Sequence, residues 1–364
     1  MVSHLVSVWF VLLAGGGLND TMDRRQHQEG ARVGGDGAAM GTECIEEGHV
    51  SNAHPRYLWW NGRHVRWEEA TIHVTELGWS TVGAVFEGIR AYWNQDAGDA
   101  YVFRLREHLE RLARSMKLVR LEQKHSIEEL SEAILQLLRD NECREDTYIA
   151  PVAYRGAGPR SFSGFSPDSQ MFISTRPMPS HLLTGKTVRA RVSSWRRISD
   201  DVMPPRVKNI SNYRNSQLAS MEAALDGYDV AILLNAQGKV AEGPGACLML
   251  VRDGRLITPD VTSSILESIT RDALIRLARE ELALMVEERT VDRTELYIAD
   301  EVFLCGTAAE ITPVVEIDHY QIGDGQIGPI TRQLEQVFHD VLRGKDARRS
   351  EWRTPVGLGQ LARA

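Results

Sequence analysis

The stretch from Glu301 to Pro313, EVFLCGTAAEITP, decides how the second half of the chain folds. Glu301–Cys305 is mostly apolar and contains β-branched and aromatic residues, which predicts a buried strand. The small residues Gly306-Thr307-Ala308-Ala309 that follow predict a tight turn at the end of this strand. Successive backbone N–H groups in such a turn can hold an anion, for example a carboxylate.

Outward from this turn, hydrophobic periodicity predicts helices over Leu105–Leu118, Asn212–Leu225 and Ile269–Leu282. Ser126-Ile-Glu-Glu129 is a capping box, and it predicts a further helix to about Asn141. Short apolar or alternating runs between these helices predict strands. The fold class expected from this order of elements is α+β.

The chain is expected to fold as two domains. We expect a smaller N-terminal α+β domain over 57–175 and a larger, C-terminal, β-rich α/β domain over 187–345. The segment 176–186 contains two prolines and a glycine and is expected to be the linker, and 346–364 a C-terminal tail. Residues 1–56 are expected to be a disordered extension, or to precede a true start at Met22 or Met40.

Composition excludes several classes of function. The 364 residues include 42 Lys plus Arg and 50 Asp plus Glu, and the net charge of −8 argues against a nucleic-acid partner. The apolar run Leu5–Ala14 is shorter than the roughly 20 residues that span a bilayer, so no membrane partner is expected. The widely spaced cysteines suggest neither a metal site nor disulfides and favour a cytoplasmic location; they are Cys44, Cys143, Cys247 and Cys305.

Five unusual strings carry the chemistry, while the common nucleotide-phosphate, zinc-protease and serine-hydrolase signatures are absent from the sequence. The strings are FEGIRAY (Phe86–Tyr92), KNISNY (Lys208–Tyr213), EGPG (Glu242–Gly245), ITRD (Ile269–Asp272) and GTAAEITP (Gly306–Pro313).

With these strings in order over about residues 57–345, the chain resembles the fold-type IV pyridoxal phosphate (PLP) enzymes, and within them the branched-chain amino-acid aminotransferases. The resemblance implies PLP as cofactor. It implies amino-group transfer between an amino acid, branched-chain or otherwise apolar, and a 2-oxo acid. It also implies a homodimer or a larger homo-oligomer, because in this family a loop of a second subunit completes the pocket.

The resemblance assigns roles around the cofactor ring. A lysine amine forms the Schiff base with PLP, and the matching residue is Lys208, which would be catalytic. A carboxylate beside the ring nitrogen keeps that nitrogen protonated, and the matching residue is Glu242. Tyr213 matches the tyrosine that donates a hydrogen bond to the phenolate oxygen of the ring.

The phosphate needs backbone N–H donors, preferably at a helix start, and a guanidinium. Ile269-Thr270 matches the helix start of the family, Thr307 matches a hydroxyl on the other side of the phosphate, and Arg111 matches the arginine. Two neighbouring charged residues, Glu87 and Arg90, are expected to form a structural ion pair rather than to take part in chemistry.

Residues for the substrate also follow from the resemblance. Phe86 and Gly88 match residues that line the side-chain pocket of the family. Tyr148 and the turn residues Thr307 and Ala308 match groups that hold the α-carboxylate of the substrate.

Other functions remain open at this stage. A D-amino-acid transaminase, an R-selective amine transaminase and an aminodeoxychorismate lyase share the lysine, the glutamate and the phosphate site. FEGIRAY and GTAAEITP favour the branched-chain group. A non-catalytic binding protein on the same scaffold is the alternative from another class, and the presence of Lys208, Tyr213 and Glu242 together argues against it.

At two positions that concern substrate specificity, this chain departs from the family pattern. The family has a tyrosine where this chain has Thr81 and an arginine where it has Ala150, and these two groups receive the distal carboxylate of glutamate. A buried carboxylate needs a cation and hydrogen bonds. We therefore expect either poor use of glutamate, with apolar partners preferred, or another arginine in this role, with Arg155 and Arg160 as the nearest candidates in sequence.

Overall fold

Two β-sheets form the framework of the protein, which is described here from a computed structural model covering residues 54–156, 168–345 and 347–361. The first sheet has the order β16-β5-β4-β6-β7-β1-β2, with β3 paired to β6, and all its pairings are antiparallel. Its strands are β1 (Tyr57–Trp60), β2 (Arg63–Arg66), β3 (Val85–Phe86), β4 (Ile89–Asn94), β5 (Asp99–Phe103), β6 (Thr147–Arg155), β7 (Ser169–Pro177) and β16 (Arg353–Pro355).

The second sheet has the order β12-β11-β10-β13-β14-β8-β9, with β15 paired to β14. The pairs β11/β12, β14/β8 and β8/β9 are parallel and the others are antiparallel. Its strands are β8 (Val188–Arg196), β9 (Val230–Leu234), β10 (Cys247–Arg252), β11 (Arg255–Thr258), β12 (Val286–Glu288), β13 (Glu301–Gly306), β14 (Glu310–Ile317) and β15 (Tyr320–Gln321).

Helices cover the sheets and fill the connections between them. They are α1 (Val74–Val82), α2 (Leu105–Leu118), α3 (Ile127–Asp140), α4 (Asn212–Leu225), α5 (Ile269–Glu280), α6 (Arg293–Leu296), α7 (Pro329–Arg343) and α8 (Leu358–Leu361). Short 3₁₀ helices lie at Trp67–Glu69 and Ser350–Trp352. Among the described residues, no helix has the length and apolar character that crossing a bilayer requires.

Local signals determine several element boundaries. The helices over Leu105–Leu118 and Asn212–Leu225 are confirmed residue for residue, and the Ser126 capping box is present with both of its hydrogen bonds. The helix from Ile269 ends at Glu280 rather than Leu282, because a turn follows in which Ala283 has φ 51°. The predicted N-terminal extension lies almost entirely outside the described residues.

The C-terminal segment is part of the first sheet rather than a tail. Arg353–Pro355 pairs antiparallel with β5, and Trp352 is buried edge-to-face against Phe103. The predicted linker likewise begins inside β7, which ends at Pro177. The two-domain division remains our proposal, with one sheet in each domain.

Alternation along β6 and β7 gives the first sheet two different faces. Ile149, Ala153 and Ile173 pack into a core with the helices α2 and α3, whereas Val152 belongs to a cluster with Phe86. A side chain two positions along a strand returns to the same face. One side of this sheet therefore packs against helices. The other side borders the cleft that lies between the two sheets.

Candidate active site

Lys208 lies in the segment that connects β8 to α4, beside the cleft. Its carbonyl accepts a hydrogen bond from the Phe86 amide at 3.0 Å, and its amide donates to Ser115 Oγ at 3.3 Å. These backbone contacts tie the segment to the first sheet and to α2. The Nζ atom lies 4.5 Å from the centre of the Phe86 ring, so an aromatic face borders the amine.

Tyr213, in the first turn of α4, directs its hydroxyl at the same amine. The Tyr213 hydroxyl and Lys208 Nζ are 2.6 Å apart, and the Tyr213 ring packs edge-to-face on Phe86 at 5.1 Å. No carboxylate lies within ion-pair distance of Lys208 in the described residues. The amine is therefore available for chemistry, which is not the normal state of a half-buried lysine.

Glu242 follows the turn that connects β9 to the next strand, and its carboxylate is buried. Glu242 Oε1 accepts a hydrogen bond from Arg197 Nε at 2.7 Å, and Oε2 accepts one from the Leu266 amide at 3.0 Å. The Arg197 Nη1 atom is buried without a hydrogen-bond partner in the described residues. The sequence reasoning missed Arg197, and its position directly after β8 was the available signal.

Near Glu242, glycine residues allow neighbouring backbone segments to approach each other closely. A Cβ atom at Gly243 would lie 3.3 Å from the Ala246 carbonyl and from the Leu304 side chain, and one at Gly306 would lie 3.4 Å from the Gly245 carbonyl. These contacts leave little room for a side chain and bring two turns of the second sheet together. Gly245 and Gly306 also line the cleft, so backbone without side chains borders it on this side.

Arg111, on α2, reaches the cleft from the first half of the chain. Its Nε and Nη2 donate to the two oxygens of Glu87 at 2.7 and 2.8 Å, and its Nη1 donates to the Glu267 carbonyl at 2.7 Å. His108 Nδ1 lies 2.8 Å from Glu87 Oε2. The expected pairing of Glu87 with Arg90 is wrong, because Glu87 faces Arg111 on α2 whereas Arg90 faces Glu310.

The Glu87 carboxyl is fully buried, and burial alone would raise its pKa. The charge and hydrogen bonds of Arg111, with a smaller contribution from His108, outweigh burial and hold the pKa of Glu87 well below its usual range. Burial lowers the pKa of His108. Two Arg111 N–H groups remain for another acceptor, since a guanidinium has five.

Arg90 pairs with a carboxylate from the second sheet. Arg90 Nη1 lies 2.8 Å from Glu310 Oε1, and both side chains are buried. Glu310 Oε2 accepts a hydrogen bond from the His181 amide at 2.9 Å. Glu310 directly follows the turn Gly306–Ala309, so this pair joins the turn to the first sheet.

The helix α5 begins beside Arg111. Ser268 caps it by accepting a hydrogen bond from the Arg271 amide at 3.2 Å. The amides of Ile269 and Thr270 are in the first turn, where the helix itself provides no acceptor. An anion bound there would also interact favourably with the helix dipole.

Tyr148 is on β6 opposite Arg90, and its hydroxyl lies against Gly88. A Cβ atom at position 88 would come within 2.1 Å of this hydroxyl, so glycine is needed there to admit the phenol. Burial raises the pKa of Tyr148, which keeps the hydroxyl protonated as a hydrogen-bond donor.

The structure brings nine of the predicted site residues together around one cleft. They are Phe86, Gly88, Arg111, Tyr148, Lys208, Tyr213, Glu242, Thr307 and Ala308. Ile269 and Thr270 are not among the lining residues, but the neighbouring Ser268 is. Sequence reasoning missed the lining residues Arg197, Cys247 and Cys305.

The residues considered for binding the distal carboxylate of glutamate are less favourably placed for that role. Thr81 uses its hydroxyl proton within α1, where it donates to the Leu77 carbonyl at 2.8 Å. Arg155 lies seven positions along β6 from Tyr148, about 23 Å at the usual rise per residue, and on the helix-facing side. Arg155 is therefore not the replacement cation, and Arg160 lies outside the described residues.

The chain belongs to the amino-transferase class IV family, whose model matches residues 84–317. The protein is therefore an aminotransferase, and enzymes of this family work with PLP. Its fold is similar to a branched-chain amino acid aminotransferase from Thermobaculum terrenum in its PLP form, with 54% identity, a TM-score of 0.82, and coverage of 84% of this chain and 99% of that one.

Curated relatives agree with this assignment. A probable branched-chain-amino-acid aminotransferase from Aquifex aeolicus is 45% identical over 303 residues, which are 82% of this chain and 96% of the relative. The branched-chain-amino-acid aminotransferase of Escherichia coli strain K12 is 40% identical over 302 residues, which are 81% of this chain and 96% of the relative.

Replacing Glu87 with glutamine should destabilise the protein, because Arg111 would then be buried without a countercharge. The expected loss is about 3–5 kcal/mol of unfolding free energy at pH 7, measured by urea denaturation. Glu110→Gln on the same helix is the matched control, since its partner Arg106 is exposed, and it should change stability by less than about 1 kcal/mol.

The pH dependence follows from the lowered pKa of Glu87. Its stabilising contribution is fully present above the unfolded pKa of about 4.5 and is lost as pH falls through the lower folded value. The stability difference between wild type and Glu87→Gln should therefore be constant above about pH 5.5 and shrink below pH 4.5. A difference that grows on acidification would contradict the ionised pair.

Proposed function

We propose that the protein transfers amino groups, with PLP as cofactor, between a branched-chain or other apolar L-amino acid and a 2-oxo acid. The observation that carries this proposal is Lys208, a half-buried amine with no carboxylate partner in the described residues, 2.6 Å from the Tyr213 hydroxyl. The substrate class rests on the relatives named above. A further solved branched-chain amino acid aminotransferase, 38% identical with a TM-score of 0.75, is described as complexed with N-(5'-phosphopyridoxyl)-L-glutamate.

The residues present fit PLP. Gly245 and Gly306 line the cleft without side chains, which suits the approach of a flat ring. Beside Glu242, the buried Arg197 Nη1 atom has no hydrogen-bond partner in the described residues and can make a further polar contact. When bound, PLP supplies an aldehyde that combines with amines and a ring that accepts electrons from the substrate carbon. Lys208 would hold the cofactor through Nζ and move the proton at that carbon.

Glu242 would hold a proton on the ring nitrogen. Arg197 and the Leu266 amide donate hydrogen bonds to its two carboxylate oxygens and fix its orientation. A carboxylate held in this way is a good acceptor for a ring N–H. Tyr213 would donate to the phenolate oxygen of the ring, because its hydroxyl already lies beside Lys208 Nζ.

The phosphate would lie at the start of α5. The free first-turn amides of Ile269 and Thr270 and the two remaining N–H groups of Arg111 are suitable donors. Thr307 would add a hydroxyl. The Glu87 contact does not prevent this role, since it uses only the Nε edge and one Nη2 hydrogen.

The α-carboxylate of the substrate would bind between Tyr148 and the turn that contains Thr307 and Ala308. The turn offers backbone N–H groups, and Tyr148 offers a hydroxyl kept protonated by burial. Phe86 and Gly88 would border the substrate side chain. This apolar surface suits a leucine-like side chain better than a charged one.

Lys208→Ala should lower turnover by at least about 10²–10⁴-fold with L-leucine and a 2-oxo acid, because no other residue replaces the amine. The variant should still bind PLP non-covalently. Lys117→Ala, an exposed position on α2, is the control and should keep normal rates. Normal turnover by Lys208→Ala would contradict the assignment, and a preference for D-amino acids or amines in the wild type would favour the other reactions of this scaffold.

We also propose that the protein assembles at least as a homodimer and works in the cytoplasm. Apolar side chains on and next to α1 are exposed, including Val74 at 67% and Val82 at 64%, and a second copy would cover them. Cys143, Cys247 and Cys305 are free thiols, which suits a reducing compartment.

Light scattering on the purified holoenzyme should give a mass of at least two chains of 40.8 kDa. Val82→Glu should weaken this association, because it places a charge in the apolar contact, while Glu76→Gln on the same helix should not. A fully active monomer would contradict the proposed assembly.

A further inference from the structure

Arg176 is a cation that the roles above do not use, and it stacks on Tyr148, which lines the cleft. It lies near the end of β7, directly opposite Tyr148 on β6. The carbon at the centre of its guanidinium is 4.6 Å from the centre of the Tyr148 ring. The side chain is only partly exposed, and no carboxylate lies within ion-pair distance of it in the described residues.

The alternation of β7 determines which way Arg176 faces. Thr175 faces the helices, since its hydroxyl accepts a hydrogen bond from Asn141 Nδ2 at 3.1 Å beyond the end of α3. Arg176 is the next residue and therefore faces the cleft, as Tyr148 does. Burial, with a smaller contribution from the charge of Arg90, lowers the pKa of Arg176, as expected for a cation that lacks an anion.

Arg176 is also well placed relative to Ala150. The register pairs Tyr148 with Arg176 and Ala150 with Ser174, so Arg176 and Ala150 are diagonal neighbours on one face. Diagonal neighbours lie about 7–8 Å apart, within reach of a long side chain. Alanine at position 150 is buried and provides no cation of its own.

Three other arginines at or near the cleft already form ion pairs. Arg90, Arg111 and Arg197 are each paired with a buried glutamate. Arg176, by contrast, has no carboxylate partner in the part of the chain that the structure describes, and it lies beside Tyr148.

We propose that Arg176 binds the distal carboxylate of a dicarboxylic substrate, such as glutamate or 2-oxoglutarate. The proposal rests on the proposed function and names one substrate class for the same cleft. A guanidinium forms short, charge-assisted hydrogen bonds with a carboxylate and compensates its desolvation. Apolar substrates would bind without this contact, so Arg176 separates the two classes of substrate.

The test compares two acceptors in Arg176→Met, which keeps an unbranched side chain over Tyr148. With 2-oxoglutarate, kcat/KM should fall at least about 30-fold, whereas with 4-methyl-2-oxopentanoate it should change less than about 3-fold. The Kd of the unreactive dicarboxylate glutarate, measured by calorimetry on the holoenzyme, should rise by a similar factor. Arg189→Met is the matched control, because Arg189 also stacks on a tyrosine, Tyr228, but belongs to β8 of the second sheet. This control variant should leave kcat/KM unchanged for both acceptors.

A second variant excludes a purely structural effect. Arg176→Met combined with Ala150→Arg should recover at least about tenfold of the lost kcat/KM for 2-oxoglutarate, because the cation returns to the diagonal position. Equal losses with both acceptors, or no loss with either, would overturn the proposal. A wild type that uses apolar 2-oxo acids but not 2-oxoglutarate would overturn the role of Arg176 alone, whereas no transamination at all would overturn the proposed function as well.

Discussion

The buried ion pair between Arg90 and Glu310 is the contact on which the geometry of the cleft depends. Arg90 belongs to the first sheet, and Glu310 follows the turn Gly306–Ala309 of the second. Tyr148 is the strand partner of Arg90, so one pair sets the distance between that phenol and the turn. Breaking such a pair costs about 3–5 kcal/mol, because a charge remains buried without a partner. The two halves of the proposed carboxylate site are therefore held in register before any substrate binds.

The charged residues at the cleft comprise two ion pairs and two cations that have no carboxylate partner in the described residues. Glu87 neutralises Arg111 and Glu242 neutralises Arg197, while Lys208 and Arg176 have no carboxylate partner in the described chain. The cleft is thus left with an excess of positive charge although the whole chain has a net charge of −8. An excess of positive charge in a cleft attracts anionic cofactors and substrates. Walls of low dielectric constant strengthen this attraction. The paired arginines keep their orientation, so the donors need not reorganise when an anion arrives.

The sequence predicted correctly those features of the fold that depend on residues close together in the chain. Capping at Ser126 and the periodicity of Leu105–Leu118 depend on neighbours within one turn, and both predictions are confirmed. The glycine-rich strings also located most of the cleft, since small residues mark close backbone approaches. The partners of Glu87 and Arg90 were predicted wrongly, because the choice depends on which strand face each side chain occupies. Arg176 was missed for the same reason, since its place beside Tyr148 follows from strand register. Arg197 was missed because it meets Glu242, 45 positions away in sequence, only in the folded chain.

The position of the covalent bond to PLP tests the central claim most directly. The holoenzyme would be reduced with borohydride, digested, and its peptides examined by mass spectrometry for the added pyridoxyl phosphate. The account predicts the modification at Lys208, because this amine lies beside Tyr213 and in one cleft with Glu242. Modification of a different lysine, with Lys208 unmodified, would contradict it.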